Sequence, residues 1–180
     1  PFHRDSHLGS VWALYEDRNR YLWIGTGNQG LVKLAPRKGK TVTYTLGNGL
    51  PIPRVWAICQ DRSGFLWIGI DQRGLFRLDP ETGKFTRFSV EDGLSSDRVC
   101  SILEDREGNL WIGTYGGGLN RREKETGAFS SFSVEQGLAG DMILDIIEDR
   151  EGSVWGGTAD GGISQLKDGK FTSTTTKEGM

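Results

Sequence analysis

The 180-residue chain is poor in the residue types that most often carry catalysis or bind metals. It has two histidines, His3 and His7, both among the first ten residues, and two cysteines, Cys59 and Cys100. Two histidines near the start of the chain and two separate cysteines nearly exclude histidine-dependent catalysis. They also form neither a Cys/His metal cluster nor a catalytic triad. The sequence therefore predicts no enzyme activity, no catalytic residues, no metal site and no cofactor.

A charge excess of one sign and long apolar runs are also missing. The chain has 22 basic and 24 acidic residues, a formal net charge of −2, with both signs scattered along it. Such a balance disfavours nucleic-acid binding driven by bulk charge. No apolar run approaches the roughly 20 residues that span a bilayer, so we expect no membrane segment in this chain.

Proline is scarce at 5 residues, whereas glycine is abundant at 27 and tryptophan reaches 6. The glycine share is about twice the usual ~7%. Much glycine with little proline is typical neither of collagen nor of a linker, and it favours many tight turns between strands.

A repeat of 44 residues runs through the chain. Trp23, Trp67, Trp111 and Trp155 follow one another at intervals of 44, each opening the tetrapeptide Trp-Ile-Gly-Thr or a close variant. An Asp-Arg pair begins six residues before each of these tryptophans, and a glycine lies seven residues after it. Four copies in register predict a tandem repeat architecture.

Each copy is predicted to form four short strands. In the third copy they cover residues 99–104, 109–114, 119–122 and 128–134, separated by turn sequences rich in Asp and Gly. Four strands in 44 residues without a helical period are the dimensions of one propeller blade. We therefore predict an all-β fold, a β-propeller region over residues 1–180 with four tandem four-stranded blades at about 11–46, 55–90, 99–134 and 143–176.

The copies differ at a few informative positions. Arg20 stands where the other copies have a turn glycine, and a positive φ there would cost about 1 kcal/mol.

Cys59 and Cys100 are offset by three positions on equivalent strands. This offset is roughly 10 Å, beyond the ~7 Å Cα reach of a disulfide. We expect both thiols to be free, which leaves the redox compartment open.

The segment Asp-Arg-Glu-Gly-Asn-Leu-Trp-Ile-Gly-Thr at 105–114, followed by Gly-Gly-Leu at 117–119, resembles the two-component regulator propeller repeat. The resemblance implies the sensor region of a bacterial signalling receptor, placed in the periplasm or outside the cell. It also implies a role in sensing glycan fragments. The family usually carries more copies than four, in rings of about seven blades.

Residues that recur in every copy are interpreted as structural. We expect Trp23, Trp67, Trp111 and Trp155 to pack between blades, and each Asp-Arg pair to supply a turn cap and a solvated charge. Gly116-Gly117-Gly118 lacks the lysine and helix of a phosphate loop.

The candidate binding residues lie where the copies differ. In a four-stranded meander, the turns between second and third strands share one rim with the links between blades, and this rim holds most of the variation. The candidate ligand-binding residues are Asn28, Gln29, Arg54, Asp71, Gln72, Arg73, Asp97, Arg98, Tyr115 and Asp160. Ordinary drift in exposed loops is the competing explanation.

Trp12 and Trp56 occupy matching places on first strands, where the later copies have Cys100 and Leu144. That strand lines the channel of a propeller, so these indoles either fill the channel mouth or stack on a sugar.

The leading functional prediction is a non-enzymatic module that binds a glycan, another small molecule or a partner. The alternatives are a scaffold for protein contacts without a small-molecule ligand and, remotely, an enzyme like streptogramin lyase, for which rim histidines are missing. Four blades should also leave two apolar faces open. We expect a second copy to close an eight-bladed ring, or missing blades of a longer chain to close it, or a compact ring of four.

Overall fold

The structure, a computed structural model, describes residues 9–35, 41–45, 49–50, 54–159 and 161–175. Four antiparallel sheets of four strands each account for nearly all its regular structure, which confirms the all-β propeller prediction. The first two sheets contain β1 (Val11–Glu16), β2 (Leu22–Thr26), β3 (Leu31–Leu34), β4 (Thr41–Tyr44), β5 (Val55–Gln60), β6 (Leu66–Ile70), β7 (Gly74–Leu78) and β8 (Phe85–Phe88). The last two contain β9 (Val99–Glu104), β10 (Leu110–Thr114), β11 (Leu119–Arg122), β12 (Phe129–Phe132), β13 (Ile143–Glu148), β14 (Val154–Thr158), β15 (Ile163–Lys167) and β16 (Lys170–Thr174).

Each sheet is a simple meander in which successive strands pair, so every blade supplies all four of its own strands. The first strands of neighbouring blades lie side by side at the centre of the arc. Single 3-10 turns at Val90–Asp92 and Val134–Gln136 begin the links that follow blades two and three.

The core lies between blades: the two inner sheets bury both faces against their neighbours, and the first and last sheets bury one face each. Trp67 and Leu75 of blade two pack against Val99, Leu110 and Ile112 of blade three. The same arrangement joins blades one and two and blades three and four. Trp23, Trp67 and Trp111 are buried, as predicted, whereas Trp155 on the last blade is only partly covered.

A carboxylate fixes each repeated tryptophan. In blade two, Asp61 Oδ2 accepts a 2.7 Å hydrogen bond from Trp67 Nε1, while its Oδ1 accepts one from the backbone N–H of Phe65 in the turn. The other blades repeat the indole contact at 2.7 to 2.9 Å. The aspartate is thus a turn cap, as predicted, and it also satisfies an indole donor that would otherwise be buried alone.

The arginine after that aspartate bridges blades, which the prediction of a solvated charge omitted. Arg62 Nη1 donates to the carbonyl oxygen of Arg106 in the next blade at 2.6 Å. The backbone N–H of Arg62 donates to the Glu104 carboxylate, which also lies 3.8 Å from Arg62 Nε. Arg18 and Arg106 make the same carbonyl contact to their next blades. We call this series the arginine ladder.

The turn before the second strand requires a left-handed residue in every blade. Gly64, Gly108 and Gly152 have φ values of 93°, 90° and 85°, and Arg20 adopts 65° at the same place. The condition considered for Arg20, a positive φ in this turn, is therefore met.

Both cysteines are free, as predicted. Burial raises the pKa of Cys59 and of Cys100 to about 11, so both are protonated thiols near neutral pH.

Candidate functional site

A β-bulge near the start of each first strand points one side chain toward the centre of the arc. In blade one, Val11 pairs with Thr26 and Ala13 pairs with Gly25, so Trp12 between them has no partner in the ladder. The register shifts in the same way in the other three blades. Such an extra residue bends the strand and re-aims its side chain.

The bulged residues and Tyr115 surround an apolar cavity of about 330 Å³, here called the inner hollow. Its lining residues are Trp12, Trp56, Cys100, Tyr115 and Leu144. The prediction that these first-strand positions line the channel is confirmed. Trp12 and Leu144 are 54% and 50% exposed, which is a large apolar exposure for two residues that line one cavity.

Two arginines from the blade links stack over the tryptophans of the hollow. The guanidinium carbon of Arg98 lies 5.8 Å from the Trp56 ring centre and 4.1 Å from that of Tyr115. Arg54 lies over Trp12 at 6.0 Å, a looser copy of the same arrangement. Cation–π contact holds both charges at the mouth of the hollow.

Asp71 joins the two arginines from the turn between β6 and β7. Its Oδ1 lies 3.3 Å from Arg98 Nε and its Oδ2 lies 3.9 Å from Arg54 Nη1. The carboxylate is buried, with 6% of the residue exposed, whereas about half of the Arg54 side chain is exposed. Arg54, Asp71, Arg98 and Tyr115, together with Trp12 and Trp56, form what we call the rim cluster.

The rim cluster exists only where the first three blades meet, because the repeat changes at each of its positions. The places of Arg54 and Arg98 are taken by Ser10 in blade one and Met142 in blade four. Two guanidinium groups share one carboxylate, so the cluster carries a surplus positive charge beside aromatic rings. Trp56 Nε1 is buried and has no hydrogen-bond partner among the described residues, which leaves a donor to be satisfied.

The other predicted binding residues lie apart from this cluster or serve the fold. Gln72 and Arg73 are exposed on the turn beside Asp71, and Asn28 is exposed on the equivalent turn of blade one. Asp97 is committed to structure, because its carboxylate accepts from the Val90 backbone and pairs with Arg87 at 3.3 Å.

Two further predicted residues need separate mention. Gln29 is half-buried, and its backbone N–H donates to Thr26 Oγ1. Asp160 lies outside the described residues. A role in ligand binding remains a prediction for every candidate on this rim.

The sequence did not show that Asp71 is an internal partner rather than an exposed ligand contact. It also did not connect Trp12 and Trp56 to the arginines that follow each of them by 42 residues. That shared spacing was the available signal, since it recurs in two consecutive copies.

Comparison with known proteins supports the assignment of the repeat. Three segments, residues 7–28, 49–72 and 93–116, match the family described as two component regulator propeller. Three of the four copies thus match this family, which confirms the resemblance seen in the sequence. The fourth copy, where Gly156 replaces the usual isoleucine, is not among the matched segments.

Solved structures share the arrangement of blades. The extracellular domain of the two component system protein BT3049 from B. thetaiotaomicron is 24% identical, with a TM-score of 0.81 over 95% of this chain and 24% of its own. The extracellular domain of BT4673, a one component system protein from the same organism, is 27% identical, with a TM-score of 0.80 over 93% of this chain and 25% of its own. The chain thus spans about a quarter of the length of these two relatives.

A more distant similarity concerns an enzyme. A catalytically inactive variant of virginiamycin B lyase from Staphylococcus aureus is 17% identical and has a TM-score of 0.74, over 96% of this chain and 57% of that protein. At this identity the likeness shows the fold alone. Among curated proteins, none matches this chain.

The described residues add two negative findings. They contain no helix that is long and apolar enough to cross a membrane. Within the same part of the chain, no group of three or more His, Cys, Asp and Glu side chains could hold a metal ion.

Proposed function

We propose that the chain is part of the sensor region of a bacterial signalling receptor and binds a small molecule at the rim cluster without catalysing a reaction. The observation that carries this proposal is the pair of arginines stacked on aromatic rings at the mouth of an apolar hollow. The extracellular domains that share the fold support a site exposed to the periplasm or to the outside of the cell.

The chemistry of the cluster favours a ring that bears an acidic group. The exposed rings of Trp12 and Tyr115 offer flat surfaces on which a sugar or an aromatic ring can stack. Arg54 and Arg98 supply more positive charge than Asp71 neutralises, and guanidinium groups suit carboxylates. An acidic sugar from a glycan is therefore the ligand class that we propose.

Titration with glucuronate, with glucose as the uncharged comparison, tests this function. Glucuronate should raise the melting temperature saturably and change tryptophan fluorescence, while glucose should bind at least about ten-fold more weakly because it lacks the charged contact. Arg98→Met, which installs the residue found at this place in blade four, should abolish the response. Lys84→Ala removes an exposed charge outside the cluster and should leave it intact.

Two outcomes would count against the proposal. A glucuronate response that survives Arg98→Met would place the binding site elsewhere. A protein that responds to none of a panel of neutral and acidic sugars or aromatic acids, yet captures a protein partner through this rim, would support the scaffold alternative.

We also propose that the two end faces of the arc are covered by blades of the same kind, supplied in this chain by a second copy. On the outer face of blade one, Leu14 is 64% exposed, whereas Ile58, Ile102 and Ile146 at the same repeat position lie within the interfaces between blades. On the outer face of blade four, Ile163 is 36% exposed, whereas the residues at the same repeat position, Leu31, Leu75 and Leu119, are buried. Each end face therefore presents the same apolar positions that pack against a neighbouring blade inside the arc.

The arginine ladder stops at these same faces with complementary groups. Arg150 on blade four has no carboxylate or carbonyl partner for its guanidinium in the described part of the chain. Glu16 on blade one is the counterpart of Glu104 and Glu148, and among the described residues its carboxylate pairs only with the exposed Arg20. A head-to-tail pair of chains would bring Arg150 of one copy to Glu16 of the other and close a ring of eight blades.

Light scattering tests this association. The proposal expects twice the 19.9 kDa of one chain. Arg150→Glu and Glu16→Arg should each weaken the pair, and mixing the two variants should restore it, because one junction is then native and the other is charge-swapped. Val90→Asp, a change at an exposed apolar residue away from both end faces, should have no effect. A wild-type monomer, or a mass that keeps growing with concentration, would overturn the closed pair.

A further inference from the structure

Arg122 breaks the repeat at a core position. In the other blades this place holds leucine: Leu34 and Leu78 are buried, and Leu166 packs against the cluster between blades three and four. Arg122 pairs with Leu110 across the sheet and faces blade two. A charge therefore stands where the fold elsewhere puts an aliphatic side chain, and desolvation makes such an exchange costly unless something compensates it.

Aromatic rings of blades two and three surround the guanidinium. Its carbon lies 5.4 Å from the ring centres of both Trp67 and Phe88 and 6.0 Å from that of Phe129. Arg77 approaches the same Trp67 at 5.8 Å and lies over Phe65 at 4.6 Å. Ring contacts hold both arginines in place, but they supply no counter-charge.

The nearby carboxylates are already engaged. Asp61 accepts from Trp67 Nε1 and from the Phe65 backbone, and Glu104 accepts from Arg62. Among the described residues, neither Arg77 nor Arg122 has a carboxylate within 4.0 Å, and Arg122 Nε is buried without a hydrogen-bond partner. Burial, and then the charge of Arg77, lower the pKa of Arg122, and the charge of Asp61 offsets only part of this shift.

The two arginines line a polar crevice of about 320 Å³ between blades two and three, on the rim opposite the rim cluster. Lys124, Gly108, Phe65 and Trp67 also line the crevice. Arg62, Asp61 and Glu104 line it as well, so the crevice combines four cations with two carboxylates that already accept hydrogen bonds, beside the rings of Phe65 and Trp67.

We propose that this crevice is a second binding site, which takes an oxyanion such as phosphate or sulfate between Arg77 and Arg122. Guanidinium forks match the oxygen spacing of these anions, and the anion supplies the counter-charge that Arg122 lacks. The site is independent of the rim cluster, because the two share no residue and lie on opposite rims.

The test compares the melting temperature in phosphate and in chloride at constant ionic strength. For the wild type, phosphate should raise it by about 5–10 °C once its concentration exceeds Kd about 100-fold. Arg122→Leu restores the residue of the other blades, so it should raise the melting temperature in chloride and remove the phosphate-dependent rise. Calorimetric titration should show a loss of phosphate affinity of at least about ten-fold in this variant.

Arg121→Gln is the matched control, because it removes a neighbouring arginine from the other face of the same strand and installs the residue found at Gln165. It should keep the phosphate response. Phenyl phosphate distinguishes a free ion from the charged group of a larger molecule: tighter binding than inorganic phosphate indicates that Phe65 and Trp67 hold the ring.

Either of two results would overturn the proposal. One is a failed phosphate response: the wild type melts no higher in phosphate than in chloride, or the Arg122→Leu variant keeps the same phosphate-dependent rise as the wild type. The other is a melting temperature of Arg122→Leu in chloride below that of the wild type, which would assign Arg122 to the packing of the interface.

Discussion

Trp111 Nε1 donates a 2.9 Å hydrogen bond to the carboxylate of Asp105, which stands six residues earlier in the chain. The acceptor is Oδ2, which also accepts a hydrogen bond from the side-chain amide of Asn109. The other oxygen, Oδ1, accepts one from the Asn109 backbone N–H. One buried carboxylate therefore fixes the turn and the orientation of the indole together. The contact explains why aspartate and tryptophan recur at a constant separation.

Replacing this carboxylate should destabilise the fold. Asp105→Ala leaves the indole donor and a turn N–H buried without an acceptor, so we expect a loss of about 2–3 kcal/mol in the free energy of unfolding, measured in urea. Glu107→Ala, at an exposed position in the same turn, is the control and should change it by less than about 0.5 kcal/mol. Similar stabilities for the two variants would contradict this role for Asp105.

The equivalent contact in blade four predicts a dependence on pH. The hydrogen bond from Trp155 holds the pKa of Asp149 below its ordinary value of 3.8, and the turn N–H groups lower it further. Because the folded pKa is lowered, this stabilisation is fully present above the unfolded pKa and is lost as pH falls through the folded one. Asp149→Asn should remove this part of the acid sensitivity, and an NMR titration of the Asp149 carboxyl carbon should give a midpoint below 3.8. A midpoint at or above that value would contradict the assignment.

The left-handed turn residue of blade one offers a stabilising change. Arg20→Gly relieves a φ of 65° and loses only an exposed ion pair with Glu16, so the free energy of unfolding should rise by up to about 1 kcal/mol. Gly64→Ala is the reverse experiment. A Cβ at Gly64 would meet no atom within 4 Å, so its cost, about 1 kcal/mol, reports the backbone alone. Equal stability of Arg20→Gly and the wild type would show that the turn tolerates arginine without strain.

Asp71 and Arg73 should behave differently although they lie two residues apart. Asp71→Ala leaves Arg54 and Arg98 without their shared partner, so we expect a loss of about 1–3 kcal/mol and weaker ligand binding. Arg73→Ala removes an exposed side chain and should change stability by less than about 0.5 kcal/mol. The sequence grouped the two residues as binding candidates, whereas the structure separates them by burial. Chemical denaturation of the two variants measures both free energies of unfolding and tests this difference.

The fold was predictable because its determinants lie within one copy of the repeat. The turn glycines, the Asp-Arg pairs and the alternating strands act over a few residues, and four copies reinforce one another. The rim cluster was less predictable, because Arg98 meets Asp71 across 27 residues and through the packing of two blades.

The aligned copies show Arg122 as the exception to Leu34, Leu78 and Leu166. They do not show whether its side chain faces solvent or the neighbouring blade. An arginine on the outer side of a sheet needs no counterion, whereas one that faces the next blade does. Only the register of β11 against β10, which places Arg122 opposite Leu110, distinguishes the two cases. Likewise, the bulge that turns Trp12 and Trp56 inward leaves no signature that the sequence alone could supply.

The arginine ladder has a consequence for how proteins of this design can change over time. Each rung has a backbone carbonyl of the next blade among its acceptors, and this part of the contact does not depend on the side chain found there. Duplicating a unit of the repeat therefore adds a complete junction, while the variable turns on the opposite rim stay free to mutate. Selection for a new ligand can act on those turns without disturbing the joints that hold the blades together.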